Sequence, residues 1–182
     1  MLQRLHVTPN MVSALGALLN VVAAGLVMAD QLIWAGVVFV VASCLDMLDG
    51  TLARLSQMVT PFGAFLDSTL DRASEGVVLA AIAYHLALEG RPIDVAMVVL
   101  ALLGSLLVSY TRARAEALGL QCKVGIMSRP ERVVLIAAGL FFNILPYVIY
   151  ILVALTGFTV VQRVVYTYRQ LRVEREPVGG GR

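Results

Sequence analysis

Asp46, Asp49, Asp67 and Asp71 place four carboxylates at the edges of long apolar runs. Such groups can hold hard cations, move a proton or pair with basic side chains. On a helix Asp46 and Asp49 are i, i+3, and Asp67 and Asp71 are i, i+4, so each pair shares one face. A charge near a bilayer centre costs ~2.5–3.5 kcal/mol, and four facing acids repel one another. The arrangement asks for a positive occupant. With no His or Cys beside them, the acids suit Mg2+ or Mn2+ rather than zinc. Two carboxylates from each of two helices can hold two ions ~3.5–4 Å apart.

Small and basic residues accompany the acids. Gly50 and Gly63 lack a Cβ, so another group can approach the backbone closely; Ala53 is small, and Arg54 offers a bidentate donor to an anion. A purely structural reading, in which the acids pair with Arg54 and Arg72, explains neither the glycines nor the spacing. Arg72 and Glu75 fit such a structural role better.

The elements that must position these residues are apolar. The chain has 182 residues, of which 59% are hydrophobic and 14% charged, which excludes an ordinary soluble domain. Crossing a hydrocarbon core takes about 20 helical residues. Six segments approach that length, at 11–28, 32–52, 64–88, 93–110, 133–145 and 147–168. The fifth reaches it only by starting near Arg129. None alternates as a barrel strand would. Thr8 and Pro9 read as the cap and first turn of the first helix. All but Arg91 of the 14 Lys and Arg residues fall on one side of this arrangement. The positive-inside rule makes that side cytoplasmic, with both termini and the aspartates there. The prediction is an all-α integral membrane protein of six transmembrane helices, multi-pass in the cell (inner) membrane, with a polar site at the cytoplasmic end. Residues 1–169 form one membrane domain; 170–182, charged and then Gly-rich, are expected to be a disordered tail. Cys44 and Cys122 form neither a metal-ligand spacing nor a disulfide framework, and Cys44 is expected simply to pack. His85 reads as structural, and Trp34, Tyr147 and Tyr150 as interfacial anchors.

Written as a pattern, Asp46 to Asp71 is D-x2-D-G-x2-A-R-x8-G-x3-D-x3-D. In all eight fixed positions it resembles the signature of the CDP-alcohol phosphotransferase family. The resemblance implies that Asp46, Asp49, Asp67 and Asp71 bind two divalent ions, and that Asp71 also serves as general base. It assigns Asp49, Gly50, Ala53, Arg54 and Gly63 to the CDP-lipid. It implies attack of an acceptor hydroxyl on the β-phosphorus of CDP-diacylglycerol with CMP leaving, and a homodimer among membrane lipids; no nucleic acid is expected as a partner.

A second polar cluster bears on the acceptor. It comprises Thr111-Arg112-Ala113-Arg114-Ala115-Glu116 and Ser128-Arg129-Pro130-Glu131-Arg132. Ser128 and Glu131 have capping-box spacing, which starts a helix there. A helix N-terminus with guanidinium groups makes a phosphate site. The segment resembles the phosphatidylinositol phosphate synthase branch of the family. That implies an acceptor-phosphate pocket of Arg112, Arg114 and Arg132 with Arg129 nearby, and myo-inositol phosphate as acceptor. Arg112 and Arg114 are i, i+2, however, and point to opposite sides of a regular helix. Glycerol 3-phosphate, the acceptor of a phosphatidylglycerol phosphate synthase, is the alternative phosphorylated polyol. A divalent-cation transporter is the alternative of another class, though it leaves the glycines and Arg54 without a role.

Overall fold

The computed structural model describes residues 9–55 and 60–175, with side chains over 10–46 and 60–172. Six helices appear in this order: α1 Pro9–Met28, α2 Leu32–Leu55, α3 Pro61–Leu88, α4 Pro92–Ala117, α5 Arg129–Phe142 and α6 Leu145–Arg175. No strand occurs among the described residues. Three helical stretches, Asn10–Met28, Pro92–Ala117 and Leu145–Arg172, are long and apolar enough to cross a membrane.

Local chemistry sets most boundaries. α3 starts at Pro61 because the Thr60 side chain caps it, accepting from the Gly63 N–H at 3.0 Å. α4 runs past Tyr110 to Ala117, carried by the Arg112–Glu116 pair at 2.8 Å and the burial of Ala115. α5 does begin at Arg129, but its 14 residues span only about 21 Å at 1.5 Å per residue. α6 is 31 residues long. The tail expected to be disordered from residue 170 is helical as far as Arg175, and Leu171 lines a groove between α4 and α6. Thr8 and residues 176–182 lie outside the described residues.

Short and long connections segregate. Three turns are tight and use the left-handed region, at Asp30 (φ 61°), Gly90 (φ 71°) and Asn143 (φ 52°). The first two close alike, with the Gln31 N–H on the Leu26 carbonyl and the Arg91 N–H on the Leu86 carbonyl. The opposite end of the bundle holds the 118–128 connection, the longest among the described residues.

The helices close into a ring. α1 packs on α2 and α3, α3 on α4, α4 on α6, α6 on α5, and α5 on α2. Every helix contributes to one core, including Val27, Phe39, Ile82, Val98, Leu140 and Ile149. Small residues allow the closest approaches: a Cβ on Gly104 would sit 2.3 Å from Thr156 Oγ1 across the α4–α6 seam.

Candidate active site

The site lies at the end of the ring that holds the 118–128 connection. α3 carries Asp67, Asp71 and Glu75 at i, i+4 and i+8, a single stripe. α2 brings Asp46, whose side chain is only 6% exposed. α5 brings Arg129 at its first residue and Arg132 one turn on. Arg129 spans two helices at once: one guanidinium nitrogen lies 2.6 Å from Asp46 Oδ2, the other 2.8 Å from Asp71 Oδ1. Arg132 is buried and forms a two-pronged pair with Glu75, at 2.6 Å and 2.8 Å.

α1 contributes a face that the sequence analysis did not identify. Ser13 donates to Asp67 Oδ1 at 3.4 Å. Gly16 faces Asp46, and a Cβ there would stand 2.1 Å from Asp46 Oδ1. Asn20 donates to the Gly16 carbonyl at 2.9 Å, and Asn10 Oδ1 lies 3.0 Å from where a Gly63 Cβ would be. The signal was legible: Asn10, Ser13 and Asn20 are polar residues at helical spacing in an apolar run.

Beside Asp71 opens a cavity of about 250 Å³, walled by Asp71, Ser109, Arg112, Arg129, Arg132 and Arg163 among others. Three of the four predicted acceptor arginines meet there. Arg114 does not; it lines a separate groove between α4 and α6 with Tyr110, Leu118 and Tyr168. The i, i+2 spacing decides this, because Arg112 and Arg114 leave α4 on different sides. Arg163, one of the basic residues on the side read as cytoplasmic, joins Arg112, Arg129 and Arg132 from α6. It is buried, and it donates to the carbonyls of Val108 and Val124, tying the 118–128 connection to α4 and α6. The Met127 N–H, donating to Thr159 Oγ1 at 3.2 Å, adds a second tie.

The start of α5 forms half of the predicted capping box. The Glu131 carboxylate takes the Ser128 hydroxyl and the Ser128 backbone N–H, but Ser128 itself makes no side-chain cap bond to the helix. The hydroxyl bond, more than any other contact, holds the Glu131 carboxyl below its ordinary range. Arg72 donates to the Ser68 carbonyl on its own helix. Cys44 does not pack in the core. It is exposed and lines an apolar groove of about 440 Å³ between α2 and α5, with Val40, Val133 and Phe141, and Arg129 at its edge. Asp49, Gly50, Ala53 and Arg54 belong to α2, but their side chains lie outside the described residues.

The described donors around Arg129 are carboxylate and hydroxyl oxygens, the set a hard divalent cation prefers. Among the described residues, no three His, Cys, Asp or Glu side chains are gathered closely enough to hold one. Arg129 stands between Asp46 and Asp71.

A family model for CDP-alcohol phosphatidyltransferase matches residues 6–165. The chain belongs to the CDP-alcohol phosphatidyltransferase family. Its relatives include an archaetidylinositol phosphate synthase of Pyrococcus horikoshii, 36% identical over 94% of this chain and 89% of the relative. A phosphatidylinositol phosphate synthase of Corynebacterium glutamicum is 39% identical over 89% of this chain and 78% of its own length. The crystal structure of Mycobacterium tuberculosis phosphatidylinositol phosphate synthase with CDP-DAG bound superposes with a TM-score of 0.84 at 32% identity, covering 92% of this chain and 89% of that one. The same enzyme in complex with manganese and citrate gives the same TM-score and identity, covering 92% and 85%. As a member of the CDP-alcohol phosphatidyltransferase family this chain is an enzyme of phospholipid biosynthesis, and its apolar helices mark it as a membrane protein.

Proposed function

We propose that this chain transfers the phosphatidyl-type group of CDP-diacylglycerol to the hydroxyl of a myo-inositol phosphate, releasing CMP. The observation that carries the reading is the basic cavity against Asp71: an acceptor phosphate there meets Arg112, Arg132 and Arg163, and its hydroxyl can reach the acid. An uncharged acceptor would not need such a wall. Relatives named for inositol phosphate products support the same acceptor.

The residues divide the work. The hydroxyl proton of the acceptor passes to the Asp71 carboxylate. The freed oxygen bonds to the β-phosphorus, and the bond between that phosphorus and the CMP oxygen breaks, with the electron pair leaving on CMP. Arg112, Arg132 and Arg163 hold the acceptor phosphate and so orient its hydroxyl. Asp46, Asp49, Asp67 and Asp71 would hold divalent cations, Mg2+ or Mn2+ and two in number, which supply neutralisation of the donor pyrophosphate. Asp49, Gly50, Ala53, Arg54 and Gly63 would face the CDP moiety.

The reading includes topology. All six helices enter the bilayer as the membrane domain, 1–169, with the site and both termini on the cytoplasmic side. The long connection and nearly all basic residues at one end support that orientation.

A mixed-micelle assay of CMP release, run with CDP-diacylglycerol and each acceptor in turn, tests the proposal. Turnover with inositol phosphate is expected. Robust release with glycerol 3-phosphate alone would move the protein to phosphatidylglycerol phosphate synthesis.

A further inference from the structure

Arg129 holds together two carboxylates that the divalent-cation reading needs for metal. Its guanidinium engages Asp46 on α2 and Asp71 on α3 through different nitrogens. A dication bound by both acids would sit ~2.0–2.6 Å from their oxygens, within close range of the same guanidinium nitrogens. Two like charges that near, around a carboxylate as buried as Asp46, exclude one another.

We infer that Arg129 is an internal counter-ion that divalent metal must displace, and that its displacement links metal binding to anion binding. This rests on the divalent-cation reading of the site proposed above. The arginine satisfies the acids before metal arrives, which removes the cost of two like charges facing each other without a cation. It leaves by a short swing. Arg129 stands at the head of α5, fixed by the backbone there, and already borders both the basic cavity and the apolar groove. In the cavity it would join Arg112, Arg132 and Arg163. Glu75 and Glu116 in the same wall are already engaged by Arg132 and Arg112, so a guanidinium released from Asp46 and Asp71 gains a new partner there only when a phosphate-like anion enters. Metal entry and anion entry therefore favour each other, and the coupling is reciprocal. The arrangement makes the site load both charges together.

The test is Mn2+ binding, followed by electron paramagnetic resonance or calorimetry on the full chain in detergent, without substrate turnover. Sulfate serves as the anion probe, against chloride at equal ionic strength. Arg129→Gln should bind Mn2+ about tenfold more tightly than the wild type, since no charge-assisted pair must first be broken. Sulfate should tighten Mn2+ binding severalfold in the wild type and leave the Gln variant unchanged. Arg129→Lys, whose single ammonium cannot span both acids, should fall between the two and carries the test should the Gln variant not fold. Equal Mn2+ affinity in wild type and variants, or equal sulfate effects, overturns the inference while leaving a metal site in place. Absence of Mn2+ binding in every form overturns the divalent-cation reading itself.

Discussion

At one end of α3, His85 and Glu89 sit with Asp30, Arg91, Asp94 and Tyr150; at the other, Asp71 and Glu75 sit with Arg129 and Arg132. At the first end the partners are mostly close in sequence. His85 faces Glu89 one turn away at 3.4 Å, and also Asp30 of the α1–α2 turn at 3.6 Å. Arg91 pairs with Asp94 at i, i+3. Two contacts come from far along the chain: Asp30 reaches His85 from the α1–α2 turn, and the Tyr150 hydroxyl, donating to Asp94 at 2.9 Å, ties α6 to α4. At the second end the partners are 83 and 57 residues apart. Local pairs fasten turns: each closes beside a left-handed residue and needs little more than helix geometry. Long-range pairs fasten helices to one another, and at this end they involve the acids assigned to chemistry. One end is a clasp; the other is a charge centre whose occupant can be exchanged.

Asp71→Asn should break the difference most sharply. The variant keeps the shape but loses the base, so CMP release should fall by roughly 10²–10⁴-fold. Its thermal midpoint in detergent should fall only modestly, because Arg129 keeps its pair with Asp46. Activity within threefold of wild type would remove Asp71 from the chemistry.

Arg132→Gln comes next, because it strands Glu75 in a buried setting. Breaking such a pair costs about 3–5 kcal/mol, visible as a lowered midpoint. In the fraction that remains folded, the acceptor KM should rise while the KM for the CDP-lipid holds. An equal rise in both would dissolve the distinction between two pockets.

Gly16→Ala sharpens the comparison by acting on the charge centre through packing alone. The new methyl meets the tip of the Asp46 side chain. That tip can move, so the overpacking cost should stay at the low end of ~1–3 kcal/mol, while turnover drops because the carboxylate is displaced. Unchanged kcat in this variant would mean that Asp46 tolerates a different position.

The smallest effect is expected at the clasp. Asp94→Asn weakens contacts to Arg91 and Tyr150 and should cost about 1–2 kcal/mol. Activity per folded molecule should be unaltered, and a loss of kcat at constant stability would show that the two ends communicate.

Much of the scaffold was legible because helix formation in an apolar chain is local. The apolar runs marked six helices, and the tight turns fell at the end that holds Arg91 as its one basic residue. Ends were less legible where packing or capping overrode hydropathy, as at Thr60 and at Arg175. The site was legible in its acids and only partly in its bases. Arg112, Arg129 and Arg132 line one cavity as expected, but Arg114 faces another groove, and Arg163 joined from a helix that read as a plain apolar span. The polar stripe of α1 was present in the sequence, yet nothing local said that it would face Asp46 and Asp67.

By itself the sequence determined the family signature, the face shared by Asp67 and Asp71, and the division of the chain into apolar helices with one basic end. These follow from covalent spacing and helical periodicity, which act over a few residues. Only the tertiary structure decided which cation meets which acid. Closing the ring brings α5 against α2 while α1 packs on both α2 and α3, and that places Arg129 between Asp46 and Asp71, Gly16 against Asp46, and Arg163 in the wall of the cavity. Those neighbours are separated by dozens of residues, so their meeting depends on how whole helices pack rather than on any local pattern.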